Sequence, residues 1–260
     1  MNLNKICELI QDAEREAAGL IMHAHGILAE KKTGRRDVVT EYDRRVQTLL
    51  TERLLSFLPE AQFFSEELES QGSPDAEQLF IIDPIDGTMN FVHGFHCSCI
   101  SVAYAERGTL CAGVIYNPYT DEMFSAVLGQ GASCNGRSIR VTEDRLRDTI
   151  ACFGTSPYYP ELADRTFQLA RKFFDESLDL RRDGSAALDL CSVAAGRAGV
   201  YFEQRVSLWD YAAGALIVRE AGGVCCCIDG SELPFDGKKS SILAGSPQTV
   251  REFLNIINQT

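Results

Sequence analysis

The pattern of apolar and polar positions predicts helices and strands that alternate along the chain. From about residue 3 to 31, apolar side chains recur every three or four residues, which predicts one long first helix that includes His23 and His25. The charged, glycine-containing segment KKTGRRD interrupts this spacing and predicts a mobile loop over 31–37. Thr40 can then cap a second helix.

Short apolar runs predict the elements that follow. Five of them indicate strands in the first half, at about 61–65, 79–83, 97–105, 111–116 and 123–127. A turn at Glu106-Arg107-Gly108-Thr109 joins the third and fourth strands as a hairpin, so this sheet should be mostly antiparallel. After about residue 148 strand and helix signals alternate, with helices near 160–174, 185–196, 209–220 and 247–258. We therefore expect one domain over 1–260, with a mainly antiparallel half (about 1–148) followed by an α/β half (about 149–260).

Composition and charge narrow the class of protein. The chain has 260 residues, of which 45% are hydrophobic, and a formal net charge of -12, so a nucleic-acid partner is not expected. No apolar run reaches the roughly 18 residues that cross a membrane, and acidic residues occur too early for a secretory signal. We expect a cytoplasmic protein. The ten cysteines form no CxxC pair, which favours core packing over a redox or soft-metal role, although the role of the run from Cys225 to Cys227 stays open.

The segment LFIIDPIDGTMNF carries the clearest chemical signal. A buried strand is followed by Asp83 and Asp86, and the proline between them predicts that the strand stops there. Gly87 lets the backbone approach a ligand, and Thr88 can cap a short helix whose free N–H groups attract an anion. Carboxylate oxygens suit Mg²⁺, which usually shares its coordination shell with water and phosphate. The alternative is a surface turn, which Asp-Pro and Asp-Gly pairs often form.

Further carboxylates are candidates for the same site. Glu66 and Glu67 follow a predicted strand, where one can turn inward, or both can be solvated surface groups. Asp43 lies in the first turn of the second helix, where acidic residues are often only dipole partners. Asp210 lies near the start of the helix in SLWDYAAGALIVREAGG, and it can be a ligand or a cap. Trp209, the only tryptophan, is expected to be a packing anchor.

Two of these segments, DPIDGTMNF and WDYAAGALIVREAGG, resemble the signatures of the inositol monophosphatase family. Weaker likeness extends through VVTEYD, FFSEEL, GQGASCNG and RRDGSAALDLC. The resemblance implies a layered α-β-α-β-α sandwich and Mg²⁺-dependent hydrolysis of a small phosphorylated polyol, most of all inositol 1-phosphate. It also implies two or three Mg²⁺ per site, competition by Li⁺ and a homodimer.

The resemblance also implies a role for each matching residue. The metal ligands would be Glu66, Asp83, the Ile85 carbonyl, Asp86 and Asp210. The residues that orient and activate the attacking water would be Asp43, Thr88 and Glu66. The substrate would contact Asp86, Gly87, Thr88, Gly184, Ser185, Ala186, Glu203 and Asp210, although Glu203 can instead be a surface carboxylate. The loop over 31–37 is a candidate for closing over the site and recruiting a third Mg²⁺ near Glu66.

Two rival interpretations remain from the sequence. One is a phosphatase of the same superfamily that acts on fructose bisphosphate or on a nucleotide 3'-phosphate. The other is a non-catalytic binding or regulatory protein, for which broken metal ligands would be the best sign. No ligand position is lost in this chain.

Overall fold

The computed structural model describes residues 2–34 and 36–258. Within these residues the chain forms seven α-helices, which are α1 (Leu3–Met22), α2 (Glu41–Phe57), α3 (Thr88–Val92), α4 (Ala163–Glu176), α5 (Ala186–Ala194), α6 (Leu208–Glu220) and α7 (Pro247–Asn258). The strands of the first half are β1 (Ala29–Gly34), β2 (Asp37–Thr40), β3 (Gln62–Ser65), β4 (Leu79–Asp86), β5 (Cys99–Glu106), β6 (Thr109–Asn117), β7 (Glu122–Val127), β8 (Ala132–Cys134) and β9 (Arg137–Ile139). The strands of the second half are β10 (Ile150–Phe153), β11 (Asp179–Arg181), β12 (Val200–Val206), β13 (Val224–Cys226) and β14 (Ser240–Gly245).

The strands form two large sheets and one hairpin. The first sheet has seven strands in sequence order from β3 to β9, and only its first pair, β3 and β4, is parallel. The second sheet has the order β11-β10-β12-β14-β13, with parallel pairing on both sides of β10 and antiparallel pairing on both sides of β14. Strands β1 and β2 pair with each other as a separate hairpin.

Helices cover both faces of both sheets, which gives the predicted five-layer α-β-α-β-α sandwich. Helices α1 and α2 pack on the outer face of the seven-stranded sheet, α5 and α6 lie between the sheets, and α4 and α7 cover the five-stranded sheet. Each of the three helix layers buries its own apolar cluster. The central cluster contains residues from both halves of the chain, which favours the interpretation as one domain.

The first helix is shorter than predicted. It ends at Met22, with His23 as the C-cap residue, so that neither His23 nor His25 lies in a helix. Gly26 then adopts a left-handed conformation, and Leu28 is 80% exposed rather than part of an apolar helix face. The apolar spacing therefore predicted too long a helix, because it counted Leu28, which does not enter the core, as part of the apolar helix face.

The predicted mobile loop over 31–37 lies largely in the β1–β2 hairpin, and Arg35 is outside the described residues. The prediction that strand β4 stops at Pro84 was also wrong, because β4 continues to Asp86. Its pairing with β5 shifts between Asp83 and Asp86. A proline cannot donate a ladder hydrogen bond, and this irregularity accommodates it without ending the strand.

Other predictions from the pattern are confirmed. The remaining four strands of the first half and the four later helices lie where they were predicted, within a few residues. All ten cysteines are free, and seven of them are buried, including Cys225 and Cys226. In the part of the chain that the structure describes, no helix is both long and apolar enough to cross a membrane.

Candidate metal and phosphate site

Residues from both halves of the chain line one cavity of about 350 Å³. Its wall contains nearly all the residues that the sequence singled out, namely Glu66, Asp83, Ile85, Asp86, Gly87, Thr88, Gly184, Ser185, Ala186, Glu203 and Asp210. Asp43 lies behind this wall. Trp209 also belongs to the lining, and its ring packs on Phe64 with the ring centroids 5.6 Å apart.

The end of strand β4 brings two aspartates and a carbonyl group into the cavity. Asp83 accepts a hydrogen bond from the Ile85 backbone N–H at 3.1 Å, which fixes its carboxylate against its own strand. The Ile85 carbonyl accepts a bond from the Thr88 hydroxyl, also at 3.1 Å. Gly87 has a φ of 91° and a side chain there would collide with the Cys97 carbonyl, so the turn before α3 requires glycine.

Thr88 and Asp43 form a second contact between elements. The two oxygens Thr88 Oγ1 and Asp43 Oδ1 are 3.2 Å apart. The other oxygen of Asp43 accepts bonds from Thr40 N–H at 2.8 Å and from the Thr40 hydroxyl at 2.5 Å, which completes the capping box of α2. One oxygen of Asp43 therefore caps helix α2, as its position suggested, and the other oxygen faces Thr88.

Asp86 connects the two halves of the chain. Its Oδ2 atom accepts hydrogen bonds from the Ser185 hydroxyl at 2.6 Å and from the Ala187 N–H at 2.7 Å, both at the start of α5. Ser185 is also the N-cap of that helix. A carboxylate at a helix N-terminus is stabilised by the free N–H groups there.

Asp210 and Glu203 approach the cavity from the second half. Asp210 caps α6, because its Oδ2 atom accepts a hydrogen bond from the Ser207 N–H at 2.6 Å. Its other carboxylate oxygen is available to a ligand. Glu203 is buried rather than a surface carboxylate. It accepts bonds from the Ser156 N–H at 2.6 Å and the Tyr201 hydroxyl at 2.7 Å, and it packs over Gly154, where a Cβ atom would lie 1.8 Å from its Oε2.

The carboxylates of the cavity disfavour one another's charge. Burial, followed by the charges of Glu66, Asp86 and Asp210, raises the pKa of Asp83 well above its usual value. Burial also raises the pKa of Asp210 well above its usual value, and that of Asp86 to about 6. Buried like charges have this effect because each ionised group makes the next ionisation more costly.

One cation of the chain partly compensates this charge. Lys32, on strand β1, donates to Glu66 at 3.0 Å and also pairs with Glu67. Burial alone would lower the pKa of Lys32, but the two glutamates outweigh it and raise the pKa. The two glutamates thus share one ammonium group, whereas the aspartates of the cavity have no ion pair with a described Lys or Arg side chain.

The chemistry of this donor set fits a hard divalent cation. Buried carboxylates with a neighbouring backbone carbonyl are the oxygen ligands that Mg²⁺ prefers, and their mutual repulsion is a charge that a cation would compensate. Among residues 2–34 and 36–258, no three or more His, Cys, Asp or Glu side chains are already gathered closely around a metal position. The assignment of these residues to a divalent cation therefore rests on their burial, their charge and the type of their donor atoms.

Several residues in or beside the cavity had not been singled out from the sequence. Lys32 was noted only as part of a charged loop, and Ser156 and Ala187 act through backbone N–H groups, which no side-chain pattern reveals. Asp189 is buried in the lining, and its Oδ1 atom has no hydrogen-bond partner among the described residues. Its helical spacing from Ser185 is the one sequence signal that could have indicated it.

Comparison with known proteins gives a consistent result over the whole chain. Residues 2–259 match the model of the inositol monophosphatase family. The chain is 35% identical to the Nus factor SuhB of Pasteurella multocida, over 98% of this chain and 96% of that protein. It is 39% identical to the fructose-1,6-bisphosphatase/inositol-1-monophosphatase of Thermotoga maritima, over 78% of this chain and 76% of that protein. A crystal structure of an IMPase/NADP phosphatase complexed with Mg²⁺ and phosphate has a TM-score of 0.85 and 26% identity, and covers 99% of this chain and 95% of that one.

Proposed function

Since the chain belongs to the inositol monophosphatase family, we propose that it is a Mg²⁺-dependent phosphatase that hydrolyses the phosphate monoester of a small polyol, with inositol 1-phosphate as the first candidate. The observation that carries this proposal is the meeting of Asp83, Asp86 and Asp210 in one cavity, beside the Thr88–Asp43 pair.

The metal would be held by Glu66, Asp83, the Ile85 carbonyl, Asp86 and Asp210, as two or three ions. When bound, Mg²⁺ would neutralise the charge of the phosphate and make water a better nucleophile. Lys32 would compete with a metal ion for Glu66, because its ammonium group already binds the Glu66 Oε1 atom. Metal binding would thereby be coupled to the hairpin that carries Lys32, and a third ion near Glu66 would be the one most sensitive to it.

Thr88 and Asp43 would orient the attacking water and take up its proton. The Thr88 hydroxyl can accept a proton from water while it donates its own to Asp43, because its oxygen lies 3.2 Å from that carboxylate. Burial raises the pKa of Asp43, which makes it a better proton acceptor than an exposed aspartate. Glu66, as a ligand of the metal, would help to activate the same water.

The substrate would lie between the two halves of the cavity. Backbone N–H groups of Gly87 and Thr88 would bind phosphate oxygens. Asp86, Asp210 and Glu203 would accept hydrogen bonds from polyol hydroxyls, with the backbone at Gly184, Ser185 and Ala186 closing the opposite side. Ser156 and Tyr201 already hold Glu203 in place, which prepares its carboxylate for that contact.

Finer properties of the family belong to the same proposal. We expect a homodimer in the cytoplasm, inhibited by Li⁺ in competition with one Mg²⁺. A phosphatase that acts on fructose bisphosphate or a 3'-phosphonucleotide would use the same metal site. A non-catalytic role, which the name of the Nus factor relative raises, is the distant alternative. Retention of every candidate ligand favours the enzyme.

The test is phosphate release from inositol 1-phosphate, fructose 1,6-bisphosphate and adenosine 3',5'-bisphosphate, with Mg²⁺ and with EDTA. Asp210→Asn should lower turnover by roughly 100-fold or more, since it removes one charged ligand but can keep the cap. Asp229→Asn, an exposed exchange of the same type, is the control. No Mg²⁺-dependent release from any ester would contradict the proposed activity, and wild-type turnover of Asp210→Asn would contradict the ligand assignment.

A further inference from the structure

Glu66 differs from the other candidate carboxylate ligands because it does not lie in a helix or a strand. Asp83 and Asp86 belong to strand β4 and Asp210 belongs to helix α6, so regular hydrogen bonding fixes their backbone. Glu66 directly follows β3, which is an edge strand of the seven-stranded sheet. Its position in the cavity therefore depends on the short turn that carries it.

Glu66 and Glu67 are the two central residues of a turn over 65–68. The Leu68 N–H closes this turn by donating to the Ser65 carbonyl at 3.4 Å. The Glu66 N–H donates to the Ile82 carbonyl on strand β4 at 3.3 Å. Both distances are longer than is usual for a backbone hydrogen bond, so these two bonds alone would hold the turn weakly.

The side-chain amide of Gln71 binds both ends of the turn. Its Oε1 atom accepts the Ser65 N–H at 2.7 Å, and its Nε2 atom donates to the carbonyl groups of Ser65 and Leu68, each also at 2.7 Å. One amide thus takes the place of a neighbouring strand for Ser65, at the open edge of the sheet. Since all three bonds are shorter than the backbone bonds of the turn, Gln71 is its strongest hydrogen-bonding partner.

A second amide reaches the same segment from helix α2. The Ser65 hydroxyl donates to the Gln47 Oε1 atom, and both residues are buried. Gln47 lies four residues after Asp43, so the two side chains share one face of α2. The same helix therefore places Asp43 beside Thr88 and holds the residue that precedes Glu66.

We propose that Gln71 is a positioning residue of the metal site, which fixes the turn so that the Glu66 carboxylate stays available to a metal ion, with Gln47 as a second support. Gln71 itself would touch neither the metal nor the substrate. Lys32 binds the same carboxylate at 3.0 Å, and in a looser turn Glu66 could follow Lys32 instead of the metal. This inference rests on the proposed metal site and adds a residue that determines its affinity.

The experiment measures the Kd for Mg²⁺ by titration calorimetry in the wild type, in Gln71→Met, in Glu66→Gln and in the double variant. Gln71→Met keeps the length of the side chain but removes the amide, and should weaken Mg²⁺ binding by about tenfold. Glu66→Gln should weaken it at least as much. In the Glu66→Gln background, Gln71→Met should change the Kd by less than about twofold, because Gln71 acts through Glu66. An equal loss in both backgrounds would overturn this inference.

Gln62→Met is the matched control. Gln62 is an exposed glutamine at the start of β3, and its Oε1 atom accepts the Ser73 N–H at 2.8 Å rather than a group of the turn over 65–68. It should bind Mg²⁺ like the wild type. Gln71 is exposed as well, so neither change removes a core side chain, and thermal unfolding in EDTA checks that every variant is folded.

Two further outcomes separate this inference from the metal site on which it rests. Wild-type Mg²⁺ affinity in Gln71→Met, together with weakened binding in Glu66→Gln, would overturn the inference and leave the metal site in place. Unchanged Mg²⁺ binding in Glu66→Gln would overturn the assignment of Glu66 as a ligand, and the inference with it.

Discussion

Replacement of Asp86 by asparagine should stabilise the metal-free protein at neutral pH, although it removes a proposed metal ligand. Asp86 is buried, and burial raises its pKa to about 6, against the opposing hydrogen bonds from Ser185 and Ala187. The amide oxygen of asparagine can still accept the Ala187 N–H, and its NH₂ group can donate to the Ser185 hydroxyl. The substitution therefore removes mainly the charge.

The size of the effect follows from the pKa. An increase from 3.8 to about 6 corresponds to roughly 3 kcal/mol, at about 1.4 kcal/mol for each tenfold change in proton affinity. Between these values Asp86 of the folded protein still holds the proton that it has lost in the unfolded chain, so the contribution of Asp86 to the free energy of unfolding falls as pH rises and then stays low. Near pH 7.5 the asparagine variant should be more stable by up to about 3 kcal/mol, or about 6 °C in Tm.

The assay is thermal unfolding in EDTA and in excess Mg²⁺, near pH 4 and near pH 7.5. In EDTA the two proteins should have similar Tm near pH 4 and diverge at the higher pH. Mg²⁺ should raise the Tm of the wild type more than that of the variant, because binding to the folded state is stabilising and the variant lacks one charged ligand. The exposed exchange Asp229→Asn should change none of these values. If Asp86→Asn is less stable than the wild type near pH 7.5 in EDTA, the electrostatic reasoning is wrong.

Three further substitutions test other contacts. Lys32→Met should lower the Kd for Mg²⁺ in calorimetry, because the ammonium group that competes for Glu66 is removed. It should also destabilise the metal-free protein by about 1–3 kcal/mol, because Glu66 and Glu67 lose their cation. Equal Mg²⁺ affinity in the two proteins would contradict the competition. Glu14 is fully buried, and burial raises its pKa well above the usual value. Glu14 should thus contribute a loss of about 1.4 kcal/mol of stability per pH unit above its unfolded pKa, and Glu14→Gln should make the pH dependence shallower by that amount in denaturant titrations. Gly154→Ala should lower Tm by displacing Glu203, whereas Gly19→Ala, at an open helical position, should raise it slightly; equal effects would contradict the packing argument.

Local signals predicted the parts of the fold that depend on neighbouring residues. Thr40 and Asp43 form the capping box that starts α2, and the turn at Glu106-Arg107-Gly108-Thr109 joins β5 to β6. The DPIDG segment delivers its two aspartates to the cavity, even though β4 continues through the proline. These features were predictable because their determinants are only a few residues apart.

Contacts between distant segments were not predictable in this way. Lys32 meets Glu66 only because the β1–β2 hairpin lies over the end of β3, and that hairpin was taken for a loop. Likewise, Arg205, Tyr159 and Lys239 come from three separate segments, and each alone looks like an ordinary surface residue. Tertiary packing, rather than any local pattern, gives these side chains their shared environment.

The most direct test of the central claim is calorimetric titration of Mg²⁺ into the metal-free protein near pH 7.5, with Asp210→Asn and the exposed control Asp229→Asn in parallel. The carboxylate site predicts saturable binding to the wild type and to the control, and binding at least about tenfold weaker in Asp210→Asn, since a charged ligand is lost. Equal Mg²⁺ affinity in all three proteins, or no binding to the wild type, would contradict the assignment of this cavity as the metal site.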